Sequence, residues 1–164
     1  MNPLAQKLIE QLNLEKHPEG GYFKETLSAD EKIQPLTRLN RPLYTSILFL
    51  LHDQEVSHFH TIESDEIWVH HTGDPLDVVC IHPEGSLEIH HLGQNPDCVL
   101  QAVVKAGTLF GAYVPNAGTA LVGCIVSPGF LYSEFKLYDY DKLCLRYPHH
   151  QIWIDRLGQK QGNT

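Results

Sequence analysis

A chain of 164 residues, 42% hydrophobic and 20% charged, has an ordinary globular composition and is long enough for one domain that buries roughly two-thirds of its unfolded surface. Twelve Lys and Arg spread thinly among twenty Asp and Glu, a formal charge of -8, argue against nucleic acid, because phosphate binding needs clustered cations. Met1-Asn-Pro-Leu opens without a basic segment leading into an apolar run, and the longest apolar run, Ile47 to Leu51, is far too short for a bilayer; a cytoplasmic chain with no membrane attachment is expected.

Asn2 before Pro3 is a helix N-cap with proline in the first turn, and Leu4, Leu8, Ile9 and Leu12 recur at helical spacing, predicting a helix over about 3–14. The character then changes. Short apolar or alternating runs follow at Tyr22–Leu27, Leu43–Leu51, Ser57–Thr61, Glu66–His71, Leu76–His82, Leu87–Leu92, Gln101–Val104, Leu109–Val114 and Ala120–Val126. Between them stand turn signals such as Gly20-Gly21, Gly73-Asp74-Pro75, Pro83-Glu84-Gly85 and Pro128-Gly129. About nine short strands with no intervening helices predict an antiparallel all-β barrel or sandwich and exclude a doubly wound α/β sheet. Tyr140–Leu145 reads as one or two helical turns, and Pro148 starts a second helix over about 148–157, stopped by Gly158. The domain expected is a single one, 1–164, with its core at about 17–136. Cys80, Cys98, Cys124 and Cys144 lack CxxC spacing and read as reduced, small hydrophobes.

The stretch SHFHTIESDEIWVHH, Ser57 to His71, carries the chemistry. Residues two apart in a strand share a face, so His58 and His60 are expected side by side, with Phe59 opposite. Two imidazoles so placed can hold one divalent ion when a neighbouring strand brings a carboxylate. Thr61 to Ser64 reads as a hairpin turn that delivers Asp65 or Glu66. Parity leaves the choice open, and the longer stem favours Glu66. Without a metal, a His60–carboxylate pair suits a general base, because imidazole titrates near neutrality; Tyr44, Tyr113 and Tyr132 are the candidate acids. Candidate ligand contacts are His17, Glu25, Arg41, Trp68 and Phe130, although a turn, a surface charge, an ion pair and core packing are the plainer readings of these residues.

The combination of His17-Pro-Glu-Gly-Gly-Tyr22, Ser57-x-x-His60, Ser64-Asp65-Glu66-x-Trp68, Ala106-Gly107 and Pro128-Gly129-Phe130 resembles the cupin superfamily, in a branch of single-domain cupins, from roughly Leu4 to Trp153. The resemblance implies a double-stranded β-helix, the RmlC-like jelly-roll barrel, with short terminal helices. It also implies a polar pocket in the barrel mouth and a homodimer. The chain departs from the usual second cupin motif, with Phe110 where a histidine is usual and Lys105 where a proline is. These residues leave three expectations open. The first is a small-molecule isomerase or epimerase acting on a sugar-like or other polar carbonyl compound, with His60 and Glu66 catalytic. The second is a metal-dependent dioxygenase or lyase, with one divalent ion (Zn, Fe, Mn or Ni) on His58, His60 and Glu66. The third is a non-catalytic ligand-binding barrel. No nucleotide cofactor is expected.

Overall fold

A computed structural model describes residues 2–35 and 39–160. Helix α1 (Pro3–Leu12) starts where expected, with the Asn2 side chain accepting the Leu4 N–H at 2.9 Å. It ends at Leu12 because Asn13 turns left-handed, at φ 51°. The strands follow in chain order: β1 (Glu15–Lys16), β2 (Tyr22–Ser28), β3 (Lys32–Ile33), β4 (Arg41–Pro42), β5 (Thr45–His52), β6 (Val56–Thr61) and β7 (Asp65–Gly73). Then come β8 (Leu76–Ile81), β9 (Leu87–Leu92), β10 (Gln101–Val104), β11 (Leu109–Tyr113), β12 (Thr119–Ser127) and β13 (Lys136–Leu137). Two short helices, α2 (Tyr140–Arg146) and α3 (Gln151–Leu157), close the chain. None of the described helices is long and apolar enough to cross a membrane.

The strands form two main antiparallel sheets, ordered β1-β2-β5-β12-β7-β10 and β13-β6-β11-β8-β9, and β3 and β4 pair as a separate two-stranded ribbon. Apolar side chains from both inner faces, among them Phe49, Leu51, Trp68, Val78, Phe110 and Val122, pack into the barrel core. The outer faces are covered separately. Helix α1 lies on the six-stranded sheet, where Ala5 and Leu14 meet Leu50 and Leu121. Helices α2 and α3 cover the five-stranded sheet, where Leu143, Ile154 and Leu157 meet Phe59, Val79 and Ile81. The apolar run Ile47–Leu51 is covered within the chain: Ile47, Phe49 and Leu51 face the core, and Leu48 and Leu50 pack towards α1.

One expectation is corrected. The segment after β6 is not a hairpin turn, because β6 pairs with β11 and β13 whereas β7 pairs with β12 and β10. Ile62, only 5% exposed, dips into the barrel core and carries the chain from one sheet to the other.

Candidate functional site

A cavity of ≈ 60 Å³ opens inside the barrel, walled by apolar and aromatic side chains and by a few ionisable ones. His60 from β6, Glu66 from β7 and Cys124 from β12 reach it from the strands. His17 and Glu19 enter from the turn between β1 and β2. Phe130, Tyr132 and Phe135 close it from the segment before β13.

The turn owes its position to glycine. Gly20 has φ +106°, and a Cβ there would lie 2.1 Å from the Val56 carbonyl oxygen. The turn can therefore lie flush on β6, where the Glu19 carbonyl accepts the His58 N–H at 2.7 Å. At the same place β6 is bulged. His60 pairs with Phe110 but Ser57 with Ala112, so one extra residue of β6 lies opposite Gly111. Alternation is broken: His60 faces the pocket and Ser57 reaches Glu19 behind it, while Phe59 packs under α3. His58 is turned away with Phe59, its Nδ1 donating to the Leu157 carbonyl at 3.2 Å.

This placement corrects the expected histidine pair. His58, His60 and Glu66 do not converge, and among the described residues no group of three His, Cys, Asp or Glu side chains is arranged to hold a metal ion. Phe110 fills the space beside His60, its ring centroid 4.1 Å from the imidazole. As placed, His58, His60 and Glu66 do not form the ligand set expected from sequence for one divalent ion.

What the pocket holds instead is a hydrogen-bonded chain. His60 Nδ1 lies 2.7 Å from the His58 carbonyl oxygen, which can only accept, so this nitrogen carries the proton. The neutral ring leaves its Nε2 lone pair facing Glu19 Oε2 at 3.2 Å. The Glu19 backbone N–H donates to His17 Nδ1 at 3.3 Å, and the same nitrogen lies 3.5 Å from Glu19 Oε2. Glu19 Oε1 accepts from Ser57 Oγ at 2.9 Å. Glu19 Oε2 thus lies within reach of a ring nitrogen of both histidines.

Burial favours that arrangement. It pushes His60 down to about 4, helped by the nearby His58 and opposed by the hydrogen bond to its carbonyl. It lowers His17 and raises Glu19 as well. Glu66 is pushed up to about 8, first by burial and then by the charge of Glu19. The Cys124 thiol and the Trp68 indole N–H beside Glu66 offset only part of this rise, and the indole N–H lies near the carboxyl without completing a hydrogen bond. Near neutrality Glu66 therefore carries a proton while His60 Nε2 offers a lone pair.

Of the residues expected from sequence, His60, Glu66, His17, Glu25 and Phe130 line the pocket. Trp68 is core, edge-on to Phe49 and Phe110, and Arg41 is buried in a bidentate pair with Glu134. Asp65 lies outside, bridging Lys105 Nζ at 2.6 Å and the Ala106 N–H at 2.9 Å. Of the three tyrosines, Tyr132 is the one at the pocket, 56% exposed at its mouth and stacked on His17 at 6.4 Å. Tyr113 donates to Asp77 elsewhere, and Tyr44 is exposed. Sequence reasoning missed Glu19, Ser57, Cys124 and Phe135. Glu19 stood inside His17-Pro-Glu-Gly-Gly, where the glycines drew the attention; a carboxylate next to two positive-φ glycines was the available signal.

A family model described as Cupin superfamily (DUF985) matches residues 6–138. A hypothetical protein from Leishmania major is 34% identical, with 94% of this chain and 98% of that one covered, at a TM-score of 0.89. A Shewanella oneidensis protein of known crystal structure is 36% identical, with 96% and 98% covered, also at 0.89. Oxalate decarboxylase from Bacillus subtilis, described as having Mn(II) centres, shares the fold alone: it is 16% identical, with 89% of this chain and 37% of that one covered, at a TM-score of 0.57. No curated protein matches the chain.

Proposed function

The chain belongs to the cupin superfamily (DUF985), and on that premise we propose that it is an acid–base enzyme of isomerase or epimerase type acting on an uncharged polar carbonyl compound. One observation carries this reading: a neutral imidazole, His60, with its Nε2 lone pair 3.2 Å from Glu19, in the same cavity as a carboxyl, Glu66, that stays protonated to about pH 8. A carbonyl compound seated there has a base for the proton on its α-carbon and an acid for its oxygen. Removing the first and protonating the second gives an enol, and return of a proton to either face or to the neighbouring carbon completes an epimerisation or an isomerisation. Glu19 takes up the charge that His60 gains, and Ser57 holds Glu19 in place.

The lining also argues for the charge of the substrate. Among the described residues no Lys or Arg lines the cavity, and three of the lining side chains are glutamates. A carboxylate or phosphate buried there would have no countercharge. The enclosed volume of ≈ 60 Å³ takes the reacting end of a substrate, whose remainder extends past Tyr132 and Glu25.

The test is a thermal-shift screen of uncharged hydroxy-carbonyl compounds, followed by exchange of the α-proton of each hit in D₂O. We expect exchange that disappears in His60→Ala and Glu19→Gln while binding persists. Binding without exchange in the parent chain would leave a ligand-binding barrel. Exchange that depends on added divalent ion and is abolished by a chelator would favour the metal-dependent reading.

A further inference from the structure

His17 lines the same cavity as His60, and the turn that carries it fixes the position of its proton. Pro18 sets the corner of that turn, and the Gly20 N–H closes it on the His17 carbonyl at 3.0 Å. In such a four-residue turn the N–H of the third residue finds no acceptor among the turn's own carbonyls. Here that residue is Glu19, only 7% exposed, so an unmet N–H would be a buried one. The His17 side chain meets it instead, accepting at Nδ1 from 3.3 Å. A backbone N–H can only donate, so Nδ1 presents a lone pair and carries no hydrogen. The ring is therefore neutral, and its one proton sits on Nε2. The approach of Glu19 Oε2 to the same Nδ1, at 3.5 Å, is the longer of the two contacts and does not reverse this.

Among the described residues nothing accepts from that Nε2–H. The imidazole is gripped by rings: Phe23 stands at 4.5 Å between centroids, Phe135 at 5.9 Å and Phe49 at 6.1 Å, all nearly perpendicular to it, and Tyr132 is stacked on it. Packing of this kind holds the ring in one orientation. A donor so fixed, in a wall of the cavity, is costly to leave without a partner unless a ligand or water meets it. His60 is its complement. That ring carries its proton on Nδ1 and offers its lone pair at Nε2, so the two imidazoles of one pocket present opposite chemistry.

We propose that His17 is a second catalytic histidine, whose Nε2–H binds the carbonyl oxygen of the substrate while His60 takes the α-proton. The proposal rests on the acid–base reading given for His60 and Glu66. A neutral imidazole polarises a carbonyl without giving up its proton, and so works beside Glu66, which supplies one. The enclosed space of ≈ 60 Å³ holds a group of only a few atoms, so a carbonyl seated there meets the walls on every side.

Long-range proton–nitrogen correlation spectra of the full chain, with its histidines labelled, read both tautomers, and His17→Gln and His60→Ala assign the two rings. Expected near neutral pH are two uncharged rings, His17 protonated at Nε2 and His60 at Nδ1. The His17 Nε2–H should shift on addition of dihydroxyacetone, an uncharged hydroxy-carbonyl. Exchange of the dihydroxyacetone protons in D₂O should fall about 10²–10³-fold in His17→Ala, as on loss of one oxyanion donor, and recover in part in His17→Gln, whose amide N–H replaces the lost donor. An imidazolium at His17, or a proton on its Nδ1, would overturn the proposal whether or not the alanine variant folds. So would a Nε2–H that ignores dihydroxyacetone, or exchange that His17→Ala leaves unchanged. A Nε2–H that shifts while the parent chain exchanges nothing would instead overturn the acid–base reading and keep His17 as the donor that binds the oxygen.

Discussion

Strands β6 and β7 follow one another in the chain, and each delivers one side chain to the pocket and one look-alike outside it. In β7 the two-residue period holds from Asp65 to His70, so Glu66 is buried inside while Asp65 meets Lys105 in solvent. In β6 the period fails. The bulge opposite Gly111 lets the His58 N–H bond the Glu19 carbonyl, and the His58 ring turns outward. Alternation is a property of an uninterrupted ladder. Where another piece of backbone takes up one of the strand's N–H groups, the ladder gains a residue and the faces change places.

Four measurements can break or sharpen that contrast. The largest effect is expected at the histidines: His60→Ala should lower turnover about 10²–10⁴-fold, as loss of a general base does, and His58→Ala by less than about threefold. Equal losses would put both rings in the pocket. Glu66→Gln should change how stability depends on pH. The folded chain holds the Glu66 proton up to about 8, and an exposed glutamic acid releases it near 4.5, so the parent loses stability as pH rises through that window. Glutamine removes the loss. The variant should therefore gain on the parent between about pH 5 and 8, by on the order of a few kcal/mol in urea unfolding, and a gap that does not vary with pH would mean that Glu66 ionises freely. His60 acts in the opposite sense: its folded value of about 4 lies below the ordinary 6.5, so its contribution is lost as pH falls through 6.5 towards 4.

Gly111→Ala tests the bulge itself. An added Cβ would lie 2.7 Å from the Ser57 carbonyl oxygen and 3.3 Å from the Phe59 nitrogen, both backbone, so a destabilisation of about 1–3 kcal/mol is expected. A neutral result would show that the strand can relax out of the bulge. The smallest effect belongs to Asp65→Asn. Its carboxylate is held below the usual range by Lys105 and the Ala106 N–H, yet the side chain is 40% exposed, and the expected change is under about 1 kcal/mol. A larger one would make the outer face of β7 as demanding as the inner.

The strands were legible because glycine, proline and asparagine punctuate alternating runs; from β2 to β12 the longer strands begin and end within two residues of the boundaries read from sequence. The short strands β1, β3, β4 and β13 were not, since two residues carry no period. Glu66 could be read on the same face as Trp68 because β7 keeps its period. The outward turn of His58 could not, because it depends on the backbone of Glu19, nearly forty positions earlier. The crossing at Ile62 was hidden for a related reason: a three-residue link such as Ile62-Glu63-Ser64 can turn back or pass between sheets, and the packing of its isoleucine selects the second.

The strand order has a consequence for synthesis. β12 is central in its sheet, between β5 and β7, yet it is the last long strand to be made. At ~5–20 residues per second, the ribosome leaves the facing edges of β5 and β7 unpaired for several seconds while β8 to β11 emerge. The nascent chain must shelter the apolar edge of Thr45–His52 through that interval, since an open strand edge recruits whatever strand it meets first. Arrival of Thr119–Ser127 is then a single closing event, which joins both halves of the sheet and completes the wall of the pocket at Cys124 and Val126.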